Sequence, residues 1–277
     1  MDKFAPVPGW ENYQWKEKQK VPTVAYKPNL DVPLIVSTKK VAKGIVYYTD
    51  NRLEPFINEP VQKYLVKARS NGISNIISMA LKEKTTFADS NFSMPDFERC
   101  YLTMFKQILL GLEICDTDIV FLCEHDVIYH PSHFDFIPPR KDLYYYNENV
   151  YQINTETGKT VYWRAKRVSQ LCAYRDLLLK HYQRRVQIVE EKGFTMRMGF
   201  EPGTHNRDER IDDYKAEGWF GEFPNLDLKH GKNLTRSKWS PKDFRNKKNC
   251  VDWKDVDDEI PGWGKPQINI KEFLNGV

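Results

Sequence analysis

The chain has no long apolar run. Nowhere do the roughly 18 hydrophobic residues of a membrane helix follow one another, and no basic segment leads into an apolar stretch of the kind that marks a secretory leader. A membrane or exported protein is therefore not expected, and the sequence reads as soluble and cytoplasmic. Cysteine is scarce and scattered: Cys100, Cys115, Cys123, Cys172 and Cys250 are odd in number and lack the spacing of a disulfide framework or a zinc knuckle, so they read as reduced thiols. Histidine is also sparse, with six residues, which argues against a hydrolase that gathers many imidazoles around two ions. Neither sign of charge dominates. Against 38 acidic residues stand 42 basic ones, and the net +4 permits a polyanionic partner without requiring one. No internal repeat is visible, and nothing points to an obligate protein partner.

What is abundant is aromatic side chain and apolar periodicity. Fifteen Tyr, fifteen Phe and seven Trp exceed what a plain scaffold needs, and several sit beside Gly, Pro and charge, where they could stack on a sugar or a base. Residues 1–40, rich in Pro and Lys, predict an extended arm. The folded pattern begins at Gly44–Asn51, an apolar run that ends abruptly in polar residues, as a buried strand does at the edge of a sheet. A helix is expected over Pro60–Ala68 and a second strand over Ile73–Ala80, which completes a βαβ unit. Ser93-Met94-Pro95-Asp96 opens a helix expected to run to Glu113, and Asp118–Cys123 follows as a short apolar strand. Further strands are expected at Asp142–Asn147, Val150–Ile153 and Thr160–Trp163, and one long helix at Ser169–Lys192. Residues 193–240 show no clear period and read as functional loops. The tail from Pro241 reads as loosely packed, with a turn at Pro261–Gly264.

The Asp118–Cys123 strand ends in Glu124-His125-Asp126. This places two acids at the carboxyl end of a strand, where open α/β sheets bind ligands. On an extended segment the acids share one side, and His125 is expected as a spacer turned to the other face. Hard carboxylate oxygens favour Mg²⁺ or Mn²⁺, and an added imidazole shifts the preference toward Mn²⁺.

The strand ending Tyr48-Thr49-Asp50-Asn51 and the segment Phe121-Leu122-Cys123-Glu124-His125-Asp126-Val127 together resemble the GT-A glycosyltransferases. The likeness implies an α/β fold, a nucleotide-binding sandwich whose mixed, mostly parallel central sheet is flanked by helices. It also implies an Asp-x-Asp-like metal motif, with Glu124 in place of the first Asp. Over residues 41–240 it implies a catalytic domain that moves a sugar from a nucleoside diphosphate sugar, UDP-linked by preference, to a hydroxyl, with residues 241–277 as a tail packed upon it. Tyr48, Thr49, Asp50 and Asn51 would receive the nucleoside. Asp126 is the safer metal ligand, while Glu124 could touch the metal, the ribose or the sugar.

The family often supplies a late histidine ligand. His230 fits that role, with Lys232, Asn233, Thr235 and Arg236 as phosphate-compatible donors after a Gly turn. His205 competes with it, and His130, His133 and His181 read as structural. A catalytic base is sought in Glu201 or Glu222, both in Gly-flanked aromatic loops, while Asp212 and Asp213 read as a solvated face. Trp219 is the expected acceptor platform.

The basic clusters Arg164-Lys166-Arg167, Arg184-Arg185 and Arg245–Lys248 bring DNA into view as a partner, with a 5-hydroxymethylated pyrimidine as acceptor, as in phage enzymes that glycosylate their genomes in the host cytoplasm. Polysaccharide or small-molecule acceptors are the alternative. Outside the transferases stand a metal-dependent nuclease or phosphohydrolase and a non-catalytic nucleic-acid-binding module.

Overall fold

The computed structural model describes residues 41–199, 201–205, 210–233, 236–265 and 270–276. The described residues fall in one compact unit; the expected arm over 1–40 lies outside them, as does Thr235.

The first strand, β1 (Lys43–Thr49), is buried along its whole length. Its side chains alternate between two cores: Ile45 and Tyr47 enter one, Val46 and Tyr48 the other. Each fully buried apolar side chain contributes about 1.5–3 kcal/mol, so β1 anchors both faces of its sheet. The chain then forms α1 (Pro55–Lys67), β2 (Ile73–Ala80), β3 (Ser90–Ser93), α2 (Tyr101–Ile114) and β4 (Ile119–Glu124). Both β2 and β4 pair parallel to β1, on opposite sides, and β3 extends β2. Helix α1 packs Ile57, Val61 and Leu65 on the Ile45 side, while α2 packs Phe105, Ile108 and Leu112 on the Val46 side. At Gly111 a Cβ would lie 2.5 Å from Val46 Cγ1, so glycine lets α2 sit directly on β1. The buried amide of Gln107, also on α2, donates to the carbonyls of Thr49 and Met79, satisfying the ends of β1 and β2.

Beyond β4 the chain turns at His125 and Asp126 into β5 (Val127–Ile128), then forms β6 (Leu143–Asn147), β7 (Val150–Asn154), β8 (Thr160–Arg164) and β9 (Leu171–Tyr174). It continues with α3 (Arg175–Lys192), β10 (Lys215–Trp219), β11 (Asn225–Lys229), β12 (Val251–Val256) and α4 (Ile270–Gly276). One sheet has the order β10-β6-β9-β4-β1-β2-β3 and the other β12-β8-β7-β11-β5. The architecture is mixed α/β with a central mixed sheet. In that sheet β9 runs antiparallel to both β4 and β6, and in the second sheet only the β7–β11 ladder is parallel. Among the described residues no helix is long and apolar enough to cross a membrane, and all five cysteines are free.

Four expectations need correction. Residues 94–100 are turns, so α2 starts at Tyr101, because Met94 N–H donates to the Ala80 carbonyl and holds the chain to the end of β2. The long helix expected from Ser169 begins at Arg175: Leu171–Tyr174 is a strand inserted between β4 and β6, where pairing outweighs local helix propensity. Residues 193–240 are not only loops, since β10 and β11 lie there. The tail is not loosely attached, because β12 pairs with β8 and α4 buries Ile270, Phe273 and Leu274 in the core beside α1. The turn at Pro261–Gly264 is present, with Gly262 and Gly264 at positive φ.

Candidate metal centre

The connections around β1 decide where a ligand can enter. From β1 the chain moves outward through β2 and β3, then crosses back to place β4 on the other side of β1. The two crossovers carry α1 and α2 on opposite faces, so the carboxyl ends of β1 and β4 flank the point where the winding reverses. Such a switch point leaves a crevice at the strand ends. The residues that emerge there are Tyr48, Thr49 and Asp50 from β1 and Glu124, His125 and Asp126 from β4.

The second sheet closes the other wall. Past the two-residue turn that follows β4, Val127 pairs with Asp227 of β11, and Leu228 N–H donates to the Asp126 carbonyl at 2.8 Å. The end of β11 thus delivers His230 to Asp126. Side-chain ligand atoms of His125, Asp126 and His230 all lie within 4.8 Å of one another. Asp126 is buried, and its Oδ2 accepts from Asn233 Nδ2 at 2.8 Å and lies 3.5 Å from His230 Nε2. Its Oδ1 is buried with no hydrogen-bond partner. An unpaired buried carboxylate oxygen is costly, and a cation between two imidazoles would satisfy it. The donor set fits a divalent ion: one carboxylate oxygen and two imidazole nitrogens suit Mn²⁺ better than Mg²⁺.

Both imidazoles have defined surroundings. His125 Nδ1 is hydrogen-bonded to the Thr49 hydroxyl at 2.7 Å and lies 3.5 Å from Asp50 Oδ1. The carboxylate favours a proton on Nδ1, which leaves Nε2 as the nitrogen open to an ion. The expectation that His125 is a spacer facing away is therefore corrected. The chain turns at residues 125–126, so strand alternation does not continue through the motif. His230 Nδ1 accepts from the Lys232 amide at 3.1 Å, which places the ring proton on Nε2, toward Asp126. Binding an ion at that nitrogen requires the proton to leave and the Lys232 amide to release Nδ1.

The electrostatics separate the two acids. Burial, reinforced by the charge of Asp126, raises the pKa of Glu124 well above the usual carboxylate range, against the hydrogen bond donated by Tyr48. Burial also works against the charge of Asp126, but His230, His125 and Lys229 together outweigh it and hold its pKa below the ordinary value. Lys229 is the matching cation: desolvation is overcome by Asp227, 2.8 Å away, and by Asp126, so its pKa is raised. Burial lowers the pKa of His125, opposed by Asp126 and Asp50, which keeps the ring neutral and able to ligate.

The remaining candidates divide clearly. Asn233 braces both ligands: its side-chain oxygen accepts from His230 N–H at 2.8 Å while its amide donates to Asp126. Lys232 is tied to the Arg52 carbonyl and, at 3.2 Å, to Glu54. Asn51, at φ 59°, faces the loop after β2, bonding to Lys82 N–H and the Glu83 carbonyl. Arg236 is exposed and acts on Asp243. Glu201 is half-buried among charges: burial raises its pKa, Arg185 and Arg167 oppose this, and its charge, like that of Glu124, is felt at Tyr182. Glu222 is exposed, and its charge acts on His130. Trp219 is not a free platform. Its ring stacks on Phe136 at 4.1 Å and 7° and on His133 at 5.5 Å, and the exposed aromatic of that loop is Phe220. The solvated face expected at Asp212 is likewise corrected, since Asp212 accepts from the Tyr144 hydroxyl and contacts buried His181.

The first basic cluster turns inward. Arg164 and Lys166 bind Glu148 at 3.2 and 2.8 Å, and Arg167 lies 3.9 Å from Asp227. Arg185 is buried against the rings of Phe105 and Tyr182. Arg164, Arg184 and the Arg245–Lys248 run are exposed, while Arg167 and Arg185 are turned into the fold. Three residues with parts in the site were missed as candidates: Arg99, which has no local sequence signal, and Asp227 and Lys229, whose alternation with Leu226 and Leu228 is the mark of a strand with one polar face.

No family model and no curated protein sequence matches the chain. Among solved structures, the chain is similar to one described as the crystal structure of a glycosyltransferase involved in the glycosylation of the major capsid of PBCV-1. The identity is 10%, the match covers 65% of this chain and 81% of that one, and the TM-score is 0.41. A likeness of that size assigns no family.

Proposed function

We propose that the protein is a divalent-ion-dependent glycosyltransferase that moves a sugar from a nucleoside diphosphate sugar, UDP-linked by preference, to a hydroxyl acceptor. The observation that carries this reading is a buried carboxylate, Asp126, with an unpartnered Oδ1 and with ligand atoms of two imidazoles within 4.8 Å, at a switch point of the sheet. Asp126, His125 and His230 would hold the ion, Mn²⁺ by preference, which would supply positive charge against the departing diphosphate.

The chain's own residues do the rest. Transfer breaks the bond between the anomeric carbon and the phosphate oxygen, whose electron pair leaves with the diphosphate, and joins the acceptor oxygen to that carbon. The acceptor proton needs a base. Glu201 suits the task, because its burial makes it a stronger base than an exposed carboxylate while Arg185 and Arg167 keep it ionisable. Glu124, held by the Tyr48 hydroxyl at 2.7 Å, would accept from a ribose or sugar hydroxyl. The acceptor reading that includes a 5-hydroxymethylated pyrimidine in DNA rests on the exposed Arg245–Lys248 run, with Arg164 and Arg184 as further exposed cations.

The test is thermal unfolding with UDP, GDP, CDP and dTDP, each with and without Mn²⁺. Stabilisation by one nucleotide that needs Mn²⁺ and disappears in Asp126→Ala is the expected result. Equal melting under every condition sinks the proposal.

A further inference from the structure

The ends of the two imidazole-bearing segments are joined by one ion pair that the chemistry above leaves unused. Asp50 follows β1 directly, and its Oδ2 is bound by Arg99 Nε, from the turn before α2. Both side chains are largely buried, with 15% and 25% of their surface exposed. Asp50 Oδ1 accepts from Arg52 N–H and lies 3.5 Å from His125 Nδ1. The same guanidinium reaches across the crevice: Arg99 Nη2 donates to the Lys232 carbonyl at 2.7 Å, in the turn that carries His230, a contact separate from the Lys232 amide bond that an ion at His230 would break. One salt bridge therefore touches His125 through its carboxylate and the His230 turn through its guanidinium.

We infer that the Arg99–Asp50 pair is a positioning device for the ion site, setting the ring of His125 through Asp50 and the turn of His230 through Arg99. This assigns Asp50 a different task from contact with a nucleoside. Its Oδ2 holds Arg99 and its Oδ1 the Arg52 amide beside His125, so a ribose hydroxyl would have to share a carboxylate already committed to the two imidazole-bearing segments. A carboxylate behind a ligating imidazole fixes the tautomer and orientation of the ring, and removing such a partner typically weakens metal binding about 10–100-fold. A guanidinium is suited to the bridging role, because its rigid fork donates in two directions at once, which a lysine ammonium on a flexible stem does less well.

The inference rests on the ion site of the proposed function, and the experiment separates the two. Mn²⁺ binding without nucleotide is measured by electron paramagnetic resonance on wild type, His125→Ala, Asp50→Asn, Asp50→Glu, Arg99→Gln and Arg99→Lys. Circular dichroism confirms folding of each variant, and the visible spectrum of the Co²⁺-substituted protein reports ligand geometry. Expected are binding by wild type, loss in His125→Ala, weakening of about 10–100-fold in Asp50→Asn and Arg99→Gln, and partial recovery in Asp50→Glu. The Co²⁺ spectrum should change in the weakened variants. Wild-type affinity and an unchanged spectrum in both Asp50→Asn and Arg99→Gln overturn the positioning role while leaving the ion site standing. Absence of binding by wild type overturns both. If Asp50→Asn does not fold, the Arg99→Gln and Arg99→Lys pair decides alone: equal affinity to wild type in both overturns the inference.

Discussion

Two buried polar clusters are built around histidine, and they are constructed on different principles. Around His133 the hydrogen bonds converge on one ring nitrogen, and the other, Nε2, is buried without a partner. Asn147 and Asn225 both donate to its Nδ1, Asn225 also donates to Gln170 Oε1, and Asn225 Oδ1 accepts from His130 N–H. The other side of the ring lies among Phe121, Tyr129, Phe134 and Trp219. Around Asp126 the network is left open, with one carboxylate oxygen unpaired and two imidazole rings beside it. Burial alone therefore does not identify a site. An unpaired polar atom on a ring packed among aromatics, such as His133 Nε2, marks a structural cluster, and one among ligating groups marks a binding one.

The largest effect that tests this contrast falls on the His133 cluster. Asn225→Leu leaves His133 Nδ1, Gln170 and His130 N–H short of partners inside the core, and is expected to lower unfolding free energy by about 3 kcal/mol or more. Denaturant titration measures it, and a loss under 1 kcal/mol would show that the cluster is not a structural unit. Ion binding should survive in the folded fraction.

Acid provides a second measurement. Burial lowers the pKa of His133 to about 3, against an ordinary value near 6.5. The unfolded chain therefore takes up a proton first as pH falls, so stability is complete above about pH 6.5 and is lost on the way down toward pH 3. Between pH 7 and 5 this residue alone costs about 2 kcal/mol. Unfolding free energies at the two pH values should converge by about that amount in His133→Gln, and an unchanged difference would assign the acid sensitivity elsewhere.

The smallest effect belongs to the open cluster. Lys232 is half exposed and pairs with the more exposed Glu54, a kind of bridge worth about 0–1 kcal/mol. Lys232→Ala should leave the melting temperature nearly unchanged. If the residue gives up this bridge to hold a phosphate, the same variant weakens diphosphate binding in the presence of Mn²⁺, as titration calorimetry would detect. A large loss of stability would place Lys232 with the structural cluster instead.

What could be read in advance follows the physics of each segment. Strands β1, β2, β4, β6, β7 and β8 are apolar or alternating runs stopped by turn residues, and their approximate positions agree with the sequence reading. The strand β9 could not be separated from α3, because Leu171–Tyr174 joins the helix without a break in apolar character and only its neighbours make it extended. The edge strand β10 is largely exposed and has no apolar pattern to detect. Asp126 and His230 are brought together as expected, whereas His125 was misplaced because its orientation comes from a two-residue turn between sheets. Arg99 was invisible, since its value depends on Asp50 and Lys232, which are distant in sequence.

That turn has a consequence for folding. Residues 125 and 126 are the whole link between β4 in one sheet and β5 in the other, and β5 holds β11 by two residue pairs. An ion gripped by His125, Asp126 and His230 would act as a stitch through both sheets, closing a loop of roughly a hundred residues whose closure entropy the chain otherwise bears alone. The far wall of the crevice would then be tightest when the ion is present, and amide exchange along β11 would slow on adding Mn²⁺ before any substrate arrives.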